Sequence, residues 1–165
     1  VQGHGLPVLM IQGVGAAGSG WNKQVQGLAS GCQTLVFDHR GVGRSPQGTE
    51  AISIGQMTAD AQALMDAAGW ESAHVVGHSM GGIVAQQLAL NVPKCVRSLC
   101  LMCTFSRGRQ AARITPWVLW MTLRTRVGTK AARRRAFLEM LFPSSRLKGM
   151  NTAQLAAEVG AMVGR

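Results

Sequence analysis

Short apolar runs alternating with helix-length segments constrain this chain more than any other feature. Pro7-Val-Leu-Met-Ile11, Thr34-Leu-Val-Phe37, His74-Val-Val-Gly77 and the run from Ser98 to Cys103 are too short for helices and nearly continuous in their apolar character. Between them, Trp21 to Ala29, Ile54 to Ala68 and Met80 to Leu90 read as helices. In the second of these, Met57, Ala61, Leu64, Met65 and Ala68 fall on one face, and Gly69 supplies a stop. Strands that are apolar on both faces and alternate with helices predict an α/β fold, a mostly parallel sheet with flanking helices. With 165 residues, 47% of them apolar and 15% charged, the chain has enough material for a buried core and is unlike a disordered tail. No apolar run approaches the ~18–20 residues of a membrane-spanning helix. The chain opens at Val1 with no pattern of a secretory leader, so the expected compartment is cytoplasmic.

The net charge of +10 is unevenly placed. Up to Thr104, Lys23, Arg40, Arg44, Lys94 and Arg97 are balanced by Asp38, Glu50, Asp60, Asp66 and Glu71. From Phe105 onward twelve basic residues, four of them in Lys130 and Arg133 to Arg135, face only Glu139 and Glu158. This divides the chain into residues 1–104 and a basic segment, 105–165. In the segment, Thr115 to Val127 and Thr129 to Leu141 read as two helices, and a third begins near Thr152. Ala132, Ala136, Phe137, Met140 and Leu141 form the expected apolar stripe of the second helix, and Arg133 and Arg134 face away.

Cys100 and Cys103 form a C-x-x-C, but within an apolar strand the two thiols point to opposite faces. Together with Cys32 and Cys95 they are expected to be buried and reduced, with no metal and no cofactor.

The residues that carry chemistry are Gly77-His78-Ser79-Met80-Gly81-Gly82, between an apolar strand and a helix. A serine nucleophile needs a tight, strained turn that lifts its oxygen above the sheet, and Gly77 and Gly81 provide the room for it. The helix that follows aims its first amides at the point where an oxyanion would form.

Three segments in order then resemble the α/β-hydrolase superfamily. Met10-Ile-Gln-Gly-Val14 resembles the loop after the family's third strand, Asp38-His-Arg-Gly-Val-Gly-Arg-Ser45 the turn after its fourth, and Gly77 to Gly82 its nucleophile elbow. The resemblance implies that Ser79 is the nucleophile and that the Val14 and Met80 amides form the oxyanion hole. Gln12 departs from the His that many members carry. Asp38, Arg40, Gly41, Gly43 and Ser45 are expected to tie a turn together through local hydrogen bonds and an ion pair. None of His4, His39, His74 and His78 is expected to be the catalytic base, and the His78 side chain should point away from that of Ser79.

In the family the triad runs Ser, Asp or Glu, then His along the chain. After Ser79 there is no Asp and no His. The resemblance therefore implies an internal piece of a longer hydrolase: a partial α/β-hydrolase fold plus the start of a helical cap, inactive alone. The acid and the histidine would come from a missing C-terminal part or a second chain. The expected substrate is a small carboxylic ester or related acyl compound, with Trp117, Trp120 and Met121 as candidate lining residues. Lactonases, C–C hydrolases and cofactor-free haloperoxidases share the scaffold. The other reading is a non-catalytic basic module for nucleic acid or an anionic membrane; no nucleic-acid fold signature accompanies the basic residues, and no nucleic-acid partner is expected. Unpaired strand edges and half a cap predict that the chain alone self-associates.

Overall fold

A computed structural model describes residues 1–111 and 115–162, so Arg113 and Arg165 of the basic segment lie outside the described residues. The chain divides into two compact units, Val1–Ser106 and Arg107–Ala161.

The first unit is built on a five-stranded sheet in the order β1-β3-β2-β4-β5. Its strands are β1 (Gln2–Gly3), β2 (Leu6–Ile11), β3 (Cys32–Val36), β4 (Ala73–His78) and β5 (Val96–Met102). Every neighbouring pair is parallel except β1 with β3. Strand β2 occupies the centre, with Val8 opposite Thr34 on one side and His74 on the other. It is buried on both faces from Val8 to Ile11, and its alternation sorts two layers. Leu9 and Ile11 pack with Leu35, Val75 and the buried sides of α2 (Ile54–Ala67) and α3 (Met80–Asn91). Val8 and Met10 pack on the opposite face with Trp21 and Val25, the latter from α1 (Asn22–Leu28). Helices on both faces of a mostly parallel sheet are the architecture that the apolar runs predict.

Local chemistry sets the helix ends. The Ser53 hydroxyl accepts from the Gln56 amide at 3.1 Å and caps α2. At the other end Gly69, at φ +71°, lets the Trp70 amide reach the Met65 carbonyl.

The last strand departs from expectation. β5 pairs with β4 along one edge only and is exposed from Arg97 to Met102. Its apolar composition reads as a buried strand, but the sheet ends here among the described residues. Cys100 and Cys103 are consequently exposed, and Cys32 and Cys95 half-buried, against the expectation of four buried thiols; all four are free.

The second unit contains α4 (Gly108–Ala111), α5 (Pro116–Arg124), α6 (Lys130–Leu141), α7 (Ser144–Leu147) and α8 (Thr152–Met162). Thr115 and Thr129 cap α5 and α6 through their hydroxyls. The expected stripe on α6 is corrected in part. Ala136 and Leu138 are buried, whereas Ala132, Met140 and Leu141 are exposed. Among the described residues no helix is long and apolar enough to cross a membrane.

Candidate active site

Ser79 stands between β4 and α3 with φ +54° and ψ −121°, a backbone state that L-residues rarely occupy. Such a conformation costs about 1–3 kcal/mol and persists only where its surroundings over-determine it. Here the surroundings are specific. The Ser79 amide donates to the Met102 carbonyl at 2.9 Å. The Ser79 carbonyl accepts from the Thr104 hydroxyl at 2.7 Å and from the Gly82 amide at 3.0 Å. The end of β5 thus holds the turn from outside the segment that forms it.

The glycines around the turn leave no space for a side chain. A Cβ on Gly77 would lie 2.6 Å from the Gly81 carbonyl oxygen and the Gly82 Cα. One on Gly81 would lie 2.2 Å from the Ile11 carbonyl oxygen and 2.5 Å from that of Gln12. The last contact brings α3 against the root of the Gly13-Val14 loop. A Cβ on Gly13 would sit 3.2 Å from the Ser79 Cβ and 3.4 Å from His78 Nδ1. The His78 ring therefore borders the same glycine as Ser79, closer to the elbow than strand alternation alone suggests. Among the described residues, no histidine nitrogen is hydrogen-bonded to Ser79 Oγ. His74 Nδ1 instead meets Ser98 Oγ at 2.7 Å.

Beneath the Gly13-Val14 loop lies a buried polar group that the sequence reading did not single out. The Gln12 side-chain amide donates to the Phe37 carbonyl, and the His39 ring nitrogen Nε2 lies 3.2 Å from the Gln12 carbonyl oxygen. A carbonyl only accepts, so His39 carries its proton on Nε2. Burial lowers the His39 pKa below its ordinary value. Gln12 Oε1 and His39 Nδ1 are both buried without a hydrogen-bond partner among the described residues. The signal available in sequence was the pairing of a polar residue at the end of a buried strand with a histidine in the next strand's turn.

The Asp38 turn has a wider reach than a local motif. Asp38 Oδ1 accepts from the Gly18 amide at 2.7 Å, Oδ2 from the Arg44 amide at 3.1 Å, and the Asp38 carbonyl from the Ser45 hydroxyl at 2.8 Å. The Gly41 amide donates to the Ser45 carbonyl. Gly43, at φ +56°, packs so closely that a Cβ would meet Asp38 Oδ2 at 2.3 Å. The expected ion pair is not within the turn. Arg40 reaches across to Asp60 on α2, with Nε–Oδ2 2.8 Å and Nη2–Oδ1 2.6 Å, a two-pronged contact. The arginine holds the Asp60 carboxyl below its ordinary range.

Val14 is exposed, Met80 is half-buried at the first position of α3, and Ser79 itself is half-buried. In the helical unit Trp117 and Trp120 are exposed, whereas Met121 is buried.

Known proteins resemble this chain in sequence and in fold. Residues 7–141 match the family described as having the alpha/beta hydrolase fold. RutD of Azorhizobium caulinodans, named a carbamate hydrolase, is 40% identical over 108 residues, which are 66% of this chain and 41% of RutD. BpoC of Mycobacterium tuberculosis, named a non-heme bromoperoxidase, is 41% identical over 109 residues, 65% of this chain and 40% of BpoC. The crystal structure of BpoC superposes with a TM-score of 0.75 at 29% identity, covering 99% of this chain and 62% of that one. The chain thus spans about two fifths of the length of the relatives it matches in sequence. A sharp serine turn between strand and helix, a mostly parallel sheet beneath it and a family match over most of the residues lead to one conclusion: this chain belongs to the α/β hydrolase fold family.

Proposed function

We propose that the chain carries the nucleophile half of a serine hydrolase that cleaves carboxylic esters through an acyl-enzyme on Ser79. The observation that carries this reading is the Ser79 backbone, held in a strained conformation by Met102, Thr104 and Gly82, with α3 starting at the next residue. Ser79 Oγ attacks the ester carbonyl and gives up its proton to a histidine contributed from outside these residues, because no His or Asp follows Ser79. The Met80 and Val14 amides stabilise the oxyanion. The alcohol departs with the proton, and water then releases the acid and regenerates Ser79. A C-terminal part or a second chain would supply the acid and histidine, and this chain alone would turn over little substrate.

The likeness to BpoC favours a second reading on the same chemistry. If hydrogen peroxide replaces water at the acyl-enzyme, the product is a peracid, which oxidises bromide.

Labelling with a fluorophosphonate probe, with and without imidazole as an external base, tests the proposal. We expect imidazole to accelerate formation of a single adduct that maps to Ser79 and is absent in Ser79→Ala. Equal labelling of Ser79→Ala, or no adduct from folded protein in imidazole, overturns it. Peroxide-dependent bromination by the chain joined to a C-terminal part that supplies the acid and histidine would select the second reading.

A further inference from the structure

We infer that the outer face of α5, with the basic residues that follow it, is a docking surface for anionic membranes. Trp117, Leu119, Trp120 and Leu123 are exposed by 55%, 65%, 55% and 59%. At about 100° per residue these four positions fill one arc of about 160° around the helix. Met121 is buried on the side away from the middle of that arc. Large apolar side chains crowded on one exposed face are unusual for a surface that meets only water.

Charge decides what covers them. Every net positive charge of the chain lies after Thr104. Arg126, Lys130, Arg133 and Arg134 are exposed and form no ion pair among the described residues. Glu139, the acid nearest to them in sequence, is neutralised twice, by Arg124 at 2.7 Å and Arg135 at 3.1 Å. The Arg124 guanidinium also sits 4.7 Å from the Trp120 ring centre. Trp and Leu on one exposed face, with Arg124 against Trp120 and further exposed Arg and Lys in the residues that follow, fit the boundary between lipid headgroups and acyl chains. Indole rings settle at the headgroup level, leucines enter the acyl boundary, and the cations meet anionic headgroups. Nucleic acid would use the cations but leave the two leucines without a role. Among the described residues no helix is long and apolar enough to cross a membrane.

The tryptophans make the test direct, because Trp21 and Trp70 are buried in the other unit and only Trp117 and Trp120 are exposed to report. The chain is titrated with phosphatidylcholine vesicles and with vesicles of equal parts phosphatidylcholine and phosphatidylglycerol, reading co-sedimentation and tryptophan emission. We expect binding to the anionic vesicles, a blue shift, and weakening as salt is raised. Arg133→Glu with Arg134→Glu, at exposed positions that leave the fold intact by circular dichroism, should weaken partitioning by at least about tenfold. Trp117→Ala with Trp120→Ala should abolish the blue shift, whereas Ser79→Ala should bind like the parent. Equal binding to both vesicle types, or none to either, overturns the inference. So does salt-sensitive binding to a DNA duplex that the tryptophan variants leave untouched, without binding to vesicles.

Discussion

The two units of this chain use their residues in opposite ways. In Val1–Ser106 the charges cancel, the centre of the sheet is buried on both faces, and glycines stand where a methyl group would strike backbone at 2.2–2.6 Å. In Arg107–Ala161 the charge is one-sided, large apolar side chains face outward, and a Cβ on Gly128 would find its nearest neighbour at 3.7 Å. The first unit holds its chemistry in backbone geometry, which tolerates almost no change. The second holds its character in side-chain composition, which tolerates a good deal.

Adding one methyl group to each unit separates these two regimes most sharply. Gly81→Ala forces atoms at α3 and the Gln12 loop apart and should destabilise the first unit by at least about 3 kcal/mol in chemical denaturation. Gly128→Ala meets no clash; only its φ of +100° opposes it, and the expected cost is about 1–2 kcal/mol. Equal costs would break the contrast.

Ion pairs offer the next comparison. Arg40→Ala removes both prongs from Asp60 and unties the Asp38 turn from α2, so the melting temperature should fall clearly. Arg135 is 74% exposed, and Arg135→Ala should change stability by no more than about 0.5 kcal/mol.

Acid distinguishes the units by the pH at which each responds. Burial lowers the His39 pKa. Below about pH 6.5 the unfolded chain binds a proton that the folded chain does not, so stability should decline as pH drops through this range. His39→Phe should flatten that slope in a series of thermal melts. The Asp60 carboxyl is lowered by Arg40, so its contribution is complete above about pH 4 and is lost as pH falls through its folded value. No histidine lies after His78, and Glu139 of the helical unit should respond in the second, more acidic window.

The helix caps give the most local comparison. Ser53→Ala on α2 and Thr129→Ala on α6 each remove one hydroxyl from an amide, at about 1 kcal/mol. Amide exchange should show the loss shared across the packed first unit and confined to the first turn of α6 in the second.

Much of this was legible in sequence where the cause is local. The apolar runs and the glycine-serine turn both act within a few residues. What was hidden depends on distant partners. The pairing of Arg40 with Asp60 and the burial of Gln12 with His39 join segments 20 and 27 residues apart. The exposure of β5 was misread because an apolar strand reads the same whether or not a neighbour covers it. Leu138 was missed on α6 because its stripe was drawn one residue away. The short helices Gly108–Ala111 and Ser144–Leu147 carry too few positions for a period to show. For the site, the serine turn was legible, whereas its clamp by Met102 and Thr104 was not.

That clamp orders events in time. While the chain is being synthesised, β4 and the α3 helix emerge before the residues that lock the serine between them. Until Met102 and Thr104 have left the ribosome, the Ser79 amide has no strand carbonyl to bind and its own carbonyl has no hydroxyl. A nascent chain stalled before that point would hold an ordinary loop at position 79. The strained geometry is set about 25 residues late, when β5 docks on the sheet.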